Sequence, residues 1–361
     1  MKRYLVLVLA LCAVGTTYSQ SVAKKAASLL IVGVDGQSLS SDNHIISDIR
    51  DKGVAGIILF GHNVATKAQC ADPRAKLAKL VSDLKAVRSE PLLVAIDQEG
   101  GRVNRMKTSS GFKPMLSHRE VARSGDSTYV RQMGATIAGE LASVGINLNF
   151  APCVDVDVNP ECPVIGHFER SFSPDATVVS RYASIYVEEH RKREILTSLK
   201  HFPGHGNSLK DSHFGLTDIT ATWSHDELAP YQDMMATGHC DAVMVSHLFN
   251  TNIDPEYPAT LSHATIQGLL RDELGWQGVV ITDDMQMQAI TDHYGFEEAV
   301  ILALNAGVDM FIVGNNIYKS KFNIVDRFVE IVESAVASGV VSMETLNTAV
   351  SRADAFRMRV E

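Results

Sequence analysis

The chain has 361 residues, of which 45% are hydrophobic and 21% are charged, and its net charge at pH 7 is −9. This composition is typical of a globular protein with a large core. It lacks the clustered Lys and Arg that nucleic-acid binding requires, and after the N-terminus no apolar run reaches the roughly 18 residues that span a bilayer. We therefore expect no nucleic-acid partner and no membrane span, and we expect a monomer.

The N-terminus has the pattern of a secretory signal peptide. A basic start precedes an apolar run at residues 4–14, and small residues follow up to Ser19. A lipoprotein signal centred on Cys12 is disfavoured because a bulky leucine precedes that cysteine. We predict cleavage before Gln20, export to the periplasm or the medium, and a single domain formed by residues 20–361.

Removal of residues 1–19 leaves four cysteines, Cys70, Cys153, Cys162 and Cys240. Because an exported chain meets oxidising conditions, a disulfide between Cys153 and Cys162 is one alternative and free thiols are the other. The cysteine spacing does not match a zinc site. We predict neither a metal nor a cofactor.

From residue 29 onward, short apolar runs alternate with helical patterns. The runs are rich in Val, Ile and Leu without strict alternation, as expected for strands covered on both faces. The eight predicted strands lie near residues 29–34, 56–60, 92–96, 146–150, 196–200, 242–246, 278–282 and 310–313. One intervening helix places Leu77, Leu80 and Leu84 on one face, and another begins after Ser262 and ends at Gly275.

Eight strand–helix pairs without a dividing linker predict an α/β fold, a single TIM-like (β/α)8 barrel. An open doubly wound sheet is the alternative, but no Gly-x-Gly-x-x-Gly follows the first strand. We expect the helical segment at about 319–361 to close the barrel.

Polar residues follow the third to the seventh predicted strand. They are residues 97–105, then Asp155, Asp157 and Arg170, then Lys200, His201, Asp211 and His213, then His247, and finally Asp283 and Asp284. A lone Asp after a strand is as often a helix cap or a surface ion pair. Because the carboxyl ends of parallel barrel strands meet at one mouth, five such ends favour one site. Its mixed charge suits a neutral polyhydroxylated ligand such as a sugar.

The loop after the fifth strand is the most polar of these segments. It contains three histidines, two glycines and a proline within residues 201–213, a composition that excludes a helix. Asp211 and His213 are two residues apart, so in an extended loop they face the same way. A carboxylate beside an imidazole fixes its tautomer and raises its basicity, which favours catalysis over a solvated His-rich loop.

Four segments resemble the motifs of glycoside hydrolase family 3, and in particular its β-N-acetylglucosaminidase (β-hexosaminidase) subgroup. They are residues 96–103 (IDQEGGRV), 200–206 (KHFPGHG), 211–213 (DSH) and 282–285 (TDDM). The resemblance covers nearly the whole mature chain. It implies a TIM-like barrel and retaining hydrolysis through a covalent glycosyl-enzyme.

The resemblance also assigns roles to residues. It implies that Asp283, rather than Asp284, is the nucleophile, and that His213, backed by Asp211, is the acid/base. It implies that the sugar hydroxyls are held by Asp97, Arg105, Arg170, Lys200 and His201. The chemistry is consistent, since an Asp is ionised at neutral pH and an imidazole can donate and then accept a proton.

The resemblance implies an exo-acting β-N-acetylglucosaminidase that acts on peptidoglycan fragments or related amino-sugar glycans. The alternatives are a glycoside phosphorylase, another family 3 glycosidase such as a β-glucosidase, and a non-catalytic sugar-binding protein. A phosphorylase is an alternative because an imidazole acid/base tolerates an incoming phosphate. The chain departs from the family pattern at Asn207, where Asp is common, in a long segment at residues 64–74, and near Phe168, where two extra residues precede Arg170.

Overall fold

The computed structural model describes residues 22–211, 215–315 and 322–360. The predicted signal peptide and His213 lie outside the described residues. Eight strands at the predicted positions form the centre of the molecule. In chain order they are β1 (Leu30–Gly33), β2 (Gly56–Leu59), β3 (Leu93–Ile96), β4 (Leu148–Asn149), β5 (Leu196–Thr197 and Leu199–Phe202), β6 (Ala242–Val245), β7 (Val279–Asp284) and β8 (Met310–Val313).

These strands pair in parallel, and the fifth strand joins the two edges of the sheet. Leu196 in the first half of β5 pairs with Leu148 of β4. Leu199 in the second half pairs with Val243 of β6. Between these two contacts the order runs through β3, β2, β1, β8 and β7, so the sheet curls into a barrel. The predicted TIM-like (β/α)8 barrel is confirmed.

Helices follow the strands and cover the outer face of the barrel. The α-helices are Ile45–Ser47, Pro73–Lys85, His118–Ala122, Ser127–Ser143, Ala176–Arg191, Ala229–Ala236, Gln288–Thr291, Phe296–Ala306, Ile324–Ala337 and Met343–Arg357, and wider π-type turns form Asp48–Lys52 and Ala264–Glu273. Residues 22–27 are also helical. Within the described ranges, no helix combines the length and the apolar character that crossing a bilayer demands.

Short elements in the loops shape the carboxyl end of the barrel. Gln98–Gly100 and Val103–Asn104 form an antiparallel hairpin, and Thr217–Asp218 pairs in parallel with Leu248–Phe249. Single 3₁₀ turns occur at Gly61–Asn63, Thr108–Ser110, His225–Leu228 and Ala259–Leu261.

The helix Pro73–Lys85 shows how the sequence determines these elements. The Asp72 side chain accepts a hydrogen bond from the Ala75 amide at the helix N-terminus, and a proline occupies the first helical position, where no amide hydrogen is needed. Leu77, Leu80 and Leu84 are buried on one face, as predicted. They pack into the same core as the strands, where β3 is buried along its whole length.

All four cysteines in the described chain are free thiols. The thiol of Cys153 donates to the Asp155 carboxylate at 3.1 Å, and that of Cys162 lies 3.3 Å from the His205 carbonyl oxygen. The two sulfur atoms are thus engaged with different polar groups, and the Cys153–Cys162 disulfide is not formed in this structure.

Candidate active site

A cavity of about 730 Å³ opens at the carboxyl ends of the strands. It brings together every described residue to which the family resemblance assigns a catalytic or sugar-binding role. These are Asp97, Arg105, Arg170, Lys200, His201, Asp211 and Asp283, and Asp284 lines the cavity with them. The polar ends of the third, fourth, fifth and seventh strands therefore converge as expected, while the role of each side chain stays a prediction.

A buried cluster of charges lies at the floor of this cavity, where Arg170 and Lys200 line it and Glu99 pairs with both. The Glu99 carboxylate accepts two hydrogen bonds from the Arg170 guanidinium, at 2.9 and 2.7 Å, and lies 2.8 Å from Lys200 Nζ. Glu99 and Lys200 are each only 2% exposed. Burial raises the pKa of the Glu99 carboxyl, but the charges of Arg170 and Lys200 outweigh that effect and hold the pKa well below its usual value.

Lys200 connects this cluster to the next loop. Its Nζ atom donates to Asp97 Oδ1 at 2.8 Å, and Arg105 lies 3.7 Å from the other oxygen of Asp97. Burial alone would lower the pKa of Lys200, but the carboxylates of Asp97 and Glu99 raise it, so the side chain is a cation at neutral pH. The floor thus presents fixed donors and acceptors, as recognition of sugar hydroxyls requires.

Glu99 is a member of this charged cluster that the sequence analysis did not select as a site residue. Asp97 and Glu99 are two residues apart, and in an extended chain such residues face the same side. Both contact the Lys200 ammonium group. The sequence contained this signal, but recognising it required knowing that Lys200 lies opposite.

The buried carboxylate of Asp155 contacts the His201 ring. Its Nδ1 lies 2.6 Å from Asp155 Oδ2, and its Nε2 lies 2.9 Å from an Arg170 nitrogen. Asp155 also accepts a hydrogen bond from the backbone amide of His205 at 2.7 Å. Burial would raise the pKa of the Asp155 carboxyl, but the His201 contact dominates and lowers it. Asp155 therefore acts on the cavity by orienting His201.

Cys153, Asp155 and His201 place three potential metal-binding atoms within 4.8 Å of one another. However, Asp155 Oδ2 already contacts both the thiol of Cys153 and the ring of His201. The Arg170 guanidinium contacts the same ring. Because the Asp155 oxygen is already engaged in these contacts and the Arg170 cation lies next to the His201 ring, a metal ion is disfavoured at this position.

Two adjacent carboxylates end β7, and their surroundings differ. Asp284 accepts hydrogen bonds from the amides of Gln286 and Gly314, at 3.0 and 3.2 Å. Burial raises the pKa of the Asp284 carboxyl to about 6, and the neighbouring Asp283 adds to this effect. The Asp283 side chain lines the cavity and accepts a hydrogen bond from the Asp284 amide at 2.8 Å. Its position at the end of β7 agrees with the nucleophile role that the resemblance implies.

The loop after β5 is anchored by the segment that follows it in sequence. The Trp223 indole donates to the Pro203 carbonyl at 3.1 Å, and Asn207 contacts the Thr222 carbonyl. Gly206 lies so close to the chain that an added Cβ would be 1.7 Å from the Val156 carbonyl oxygen. These contacts fix the first part of the loop, which leads to Asp211 at the edge of the cavity.

Two other strand-end residues lie behind the cavity. His247 Nδ1 lies 2.8 Å from the Thr260 hydroxyl and its Nε2 lies 3.0 Å from the Asp284 carbonyl, so it supports the end of β7. Asp157 forms an ion pair with Arg119. Neither residue belongs to the cavity lining.

A second cavity of about 820 Å³ lies beside the helices Phe296–Ala306 and Ile324–Ala337. Its lining is mainly apolar, and its Glu297 and Arg327 pair at 2.6 Å. None of the predicted site residues lines it, so the chemistry belongs to the cavity at the strand ends.

Comparisons with known proteins agree with this geometry. The family model described as the glycosyl hydrolase family 3 N-terminal domain matches residues 21–355. A curated relative, the β-hexosaminidase of Tolumonas auensis, is 33% identical over 290 residues, which cover 80% of this chain and 83% of the relative.

Solved structures share the fold. A glycoside hydrolase family 3 β-N-acetylglucosaminidase from Paenibacillus sp. superposes with a TM-score of 0.83 at 34% identity, covering 93% of this chain. The chain spans 62% of the length of that longer protein. The β-N-acetylhexosaminidase of Beutenbergia cavernae has a TM-score of 0.82 at 27% identity, with 93% of this chain and 98% of that one covered. The chain therefore belongs to glycosyl hydrolase family 3 and is a glycoside hydrolase of the β-hexosaminidase group of that family.

Proposed function

We propose that the protein is an exported, retaining exo-β-N-acetylglucosaminidase that removes terminal β-linked N-acetylhexosamine from peptidoglycan fragments or related glycans. The observation that carries the proposal is that Asp283 and Asp211, which lie on different loops, line one cavity with a buried, charged floor. Arg170 and Lys200 line that floor and both pair with the buried Glu99, and the proposal places the terminal sugar of the glycan against them.

The first chemical step follows from this arrangement. The floor residues hold the terminal sugar, so that its anomeric carbon meets the Asp283 carboxylate. Asp283 attacks and forms a glycosyl ester while the bond to the leaving oxygen breaks, and His213 gives its proton to that oxygen. His213 then removes a proton from water, which attacks the ester and releases the sugar with its original configuration. Asp211, two residues before His213, supports the imidazolium form.

The specificity is tested with a panel of aryl β-glycosides carrying N-acetylglucosamine, N-acetylgalactosamine, glucose or xylose. The proposal expects the highest kcat/KM with N-acetylglucosamine. Assays with and without phosphate, with the products identified, separate hydrolysis from phosphorolysis, which would yield a sugar phosphate. A preference for the glucoside would contradict the proposed substrate.

The nucleophile is tested by substitution and by labelling. Asp283→Ala should lower turnover by several powers of ten while its unfolding curve resembles that of the wild type. An activated fluoro-sugar should label Asp283 in the native protein. A label on Asp284 or Asp97 would overturn this assignment.

The acid/base role of His213 predicts a dependence on the leaving group. His213→Ala should nearly abolish cleavage of a disaccharide, while an aryl glycoside with a very acidic phenol should still form the glycosyl-enzyme. Added azide should then accelerate turnover and give a β-glycosyl azide. Asp211→Ala should show a milder form of the same pattern. Equal losses on good and poor leaving groups would mean that another residue is the acid.

Export is tested separately from catalysis. The full-length chain, expressed in a secreting bacterial host, should appear outside the cytoplasm with Gln20 as its first residue. N-terminal sequencing gives that result directly. An intact N-terminus on a protein retained in the cytoplasm would contradict the export proposal.

A further inference from the structure

Two loops each contribute one residue to the floor of the cavity and one to its rim. The loop after β3 supplies Asp97 to the floor and Arg102 to the rim, and the loop after β4 supplies Arg170 to the floor and Phe168 to the rim. At the rim, the Arg102 guanidinium lies over the Phe168 ring, 5.2 Å from its centroid. We call these two side chains the rim pair.

The rim pair is more exposed than the floor. Arg102 is exposed and Phe168 is partly buried, whereas Arg170 is only 9% exposed. The proposed function places the terminal sugar against the buried floor residues Arg170 and Lys200. The group attached to that sugar must therefore lie at the mouth, where the rim pair is.

The backbone holds Phe168 in this position. The next residue, Glu169, has a φ of 56°, in the left-handed region that side chains rarely adopt. Its carboxylate accepts a hydrogen bond from the Ser117 hydroxyl at 2.9 Å, and its amide donates to the Gly166 carbonyl at 3.0 Å. An aromatic side chain held by such a tight turn is a preformed stacking surface.

The charge of Arg102 is the second part of the argument. Among the residues that the structure describes, no carboxylate lies within ion-pair distance of the Arg102 guanidinium. The internal segments 212–214 and 316–321 contain no Asp or Glu that could supply one. The other cations of the cavity each have a carboxylate partner. Arg105 lies near Asp97, and Arg170 and Lys200 both pair with Glu99. Arg102 is thus a cation at the mouth without a carboxylate partner among the described residues, stacked on an aromatic ring.

We infer that the rim pair binds the leaving group, with Phe168 stacking on its sugar ring and Arg102 pairing with an anionic substituent, and so selects acidic over neutral leaving groups. Sugar rings present C–H groups that pack on aromatic faces, and a planar guanidinium matches the geometry of a carboxylate. This inference rests on the proposed function and adds the chemical class of the leaving group.

The experiment compares two disaccharides with the same terminal sugar, β-linked N-acetylglucosamine. One carries N-acetylmuramic acid, with its lactyl carboxylate, as the leaving sugar, and the other is neutral N,N′-diacetylchitobiose. The wild type should show the higher kcat/KM on the acidic disaccharide. Arg102→Gln should lower the ratio of the two kcat/KM values about tenfold, which is the usual contribution of a charge-assisted hydrogen bond. Arg102→Lys keeps the positive charge and should retain part of the preference for the acidic disaccharide.

Phe168→Ala should lower kcat/KM on both disaccharides, because stacking does not depend on charge. The matched control is Arg181→Gln. Arg181 is also an exposed arginine over an aromatic ring, 4.7 Å from the centroid of Tyr182, but it lies outside the cavity. This variant should keep the wild-type ratio.

An unchanged ratio in Arg102→Gln, or an equal fall in Arg181→Gln, would overturn the inference. If the wild type cleaves an aryl β-N-acetylglucosaminide but does not favour the acidic disaccharide, the inference fails and the proposed function stands. If it cleaves none of these substrates, both fail.

Discussion

Replacing Glu227 with Gln should stabilise the protein by an amount that grows as the pH rises from about 4.5 to about 8. The Glu227 side chain is only 1% exposed and packs against Gly204 in the loop after β5. One carboxyl oxygen accepts a hydrogen bond from the Ser224 amide at 3.3 Å. The backbone amides of Gly206 and Asn207 also lower the pKa of this carboxyl, but burial outweighs all three amides. Burial raises the pKa of this carboxyl to about 8.

The magnitude follows from the difference in pKa between the folded and unfolded chain. The ordinary pKa of a Glu is 4.5. Below that pH, Glu227 is protonated in both the folded and the unfolded chain, so its ionisation does not reduce the free energy of unfolding. Between 4.5 and 8 the unfolded chain ionises first, and stability falls by about 1.4 kcal/mol per pH unit, or up to about 5 kcal/mol in all. The side-chain amide of the Glu227→Gln variant cannot ionise, so the variant escapes this loss.

The assay is urea unfolding of wild type and Glu227→Gln at pH 5, 6, 7 and 8. The difference in unfolding free energy should be small at pH 5 and should reach at least about 2 kcal/mol at pH 8. Glu330→Gln is the matched control, because the Glu330 carboxylate is on the surface. Parallel pH profiles for wild type and Glu227→Gln would refute the reasoning, since they would mean that Glu227 ionises normally in the folded protein.

Three further predictions follow from features of the fold. Gly206→Ala should destabilise the protein and lower its activity, because the new Cβ would lie 1.7 Å from the Val156 carbonyl oxygen. Gly139 lies on a helix with open space around the position of a Cβ, so Gly139→Ala should raise the unfolding free energy by up to about 1 kcal/mol in the same assay. Glu99→Gln should cost about 3–5 kcal/mol of unfolding free energy, measured in urea, because it leaves buried cations uncompensated; a change below about 1 kcal/mol would contradict this. Titration of the denatured mature protein with a thiol reagent, without reductant, should find all four cysteines reactive; two fewer thiols would mean that a disulfide forms.

The sequence predicted the barrel well because strands covered on both faces are continuous apolar runs. The β3 segment, buried along its whole length, is an example. The cavity lining was also predictable, because barrel topology brings strand ends such as Asp97 and Asp283 to one mouth. Glu99 was missed since its role depends on Lys200 and Arg170, which are distant in sequence. The rim pair was missed for the same reason, as its geometry depends on a turn that no sequence pattern marks.

The buried charges of the cavity floor also have a consequence for how this chain can evolve. Glu99, Arg170 and Lys200 remove ionic groups from water, and replacing such a cluster by apolar side chains of similar volume often leaves a protein as stable or more stable. Selection for stability alone would therefore favour their joint loss, although any single replacement is costly. A descendant released from sugar cleavage should keep the barrel while these three positions drift together toward apolar residues. We therefore expect activity, rather than folding, to maintain all three in this chain.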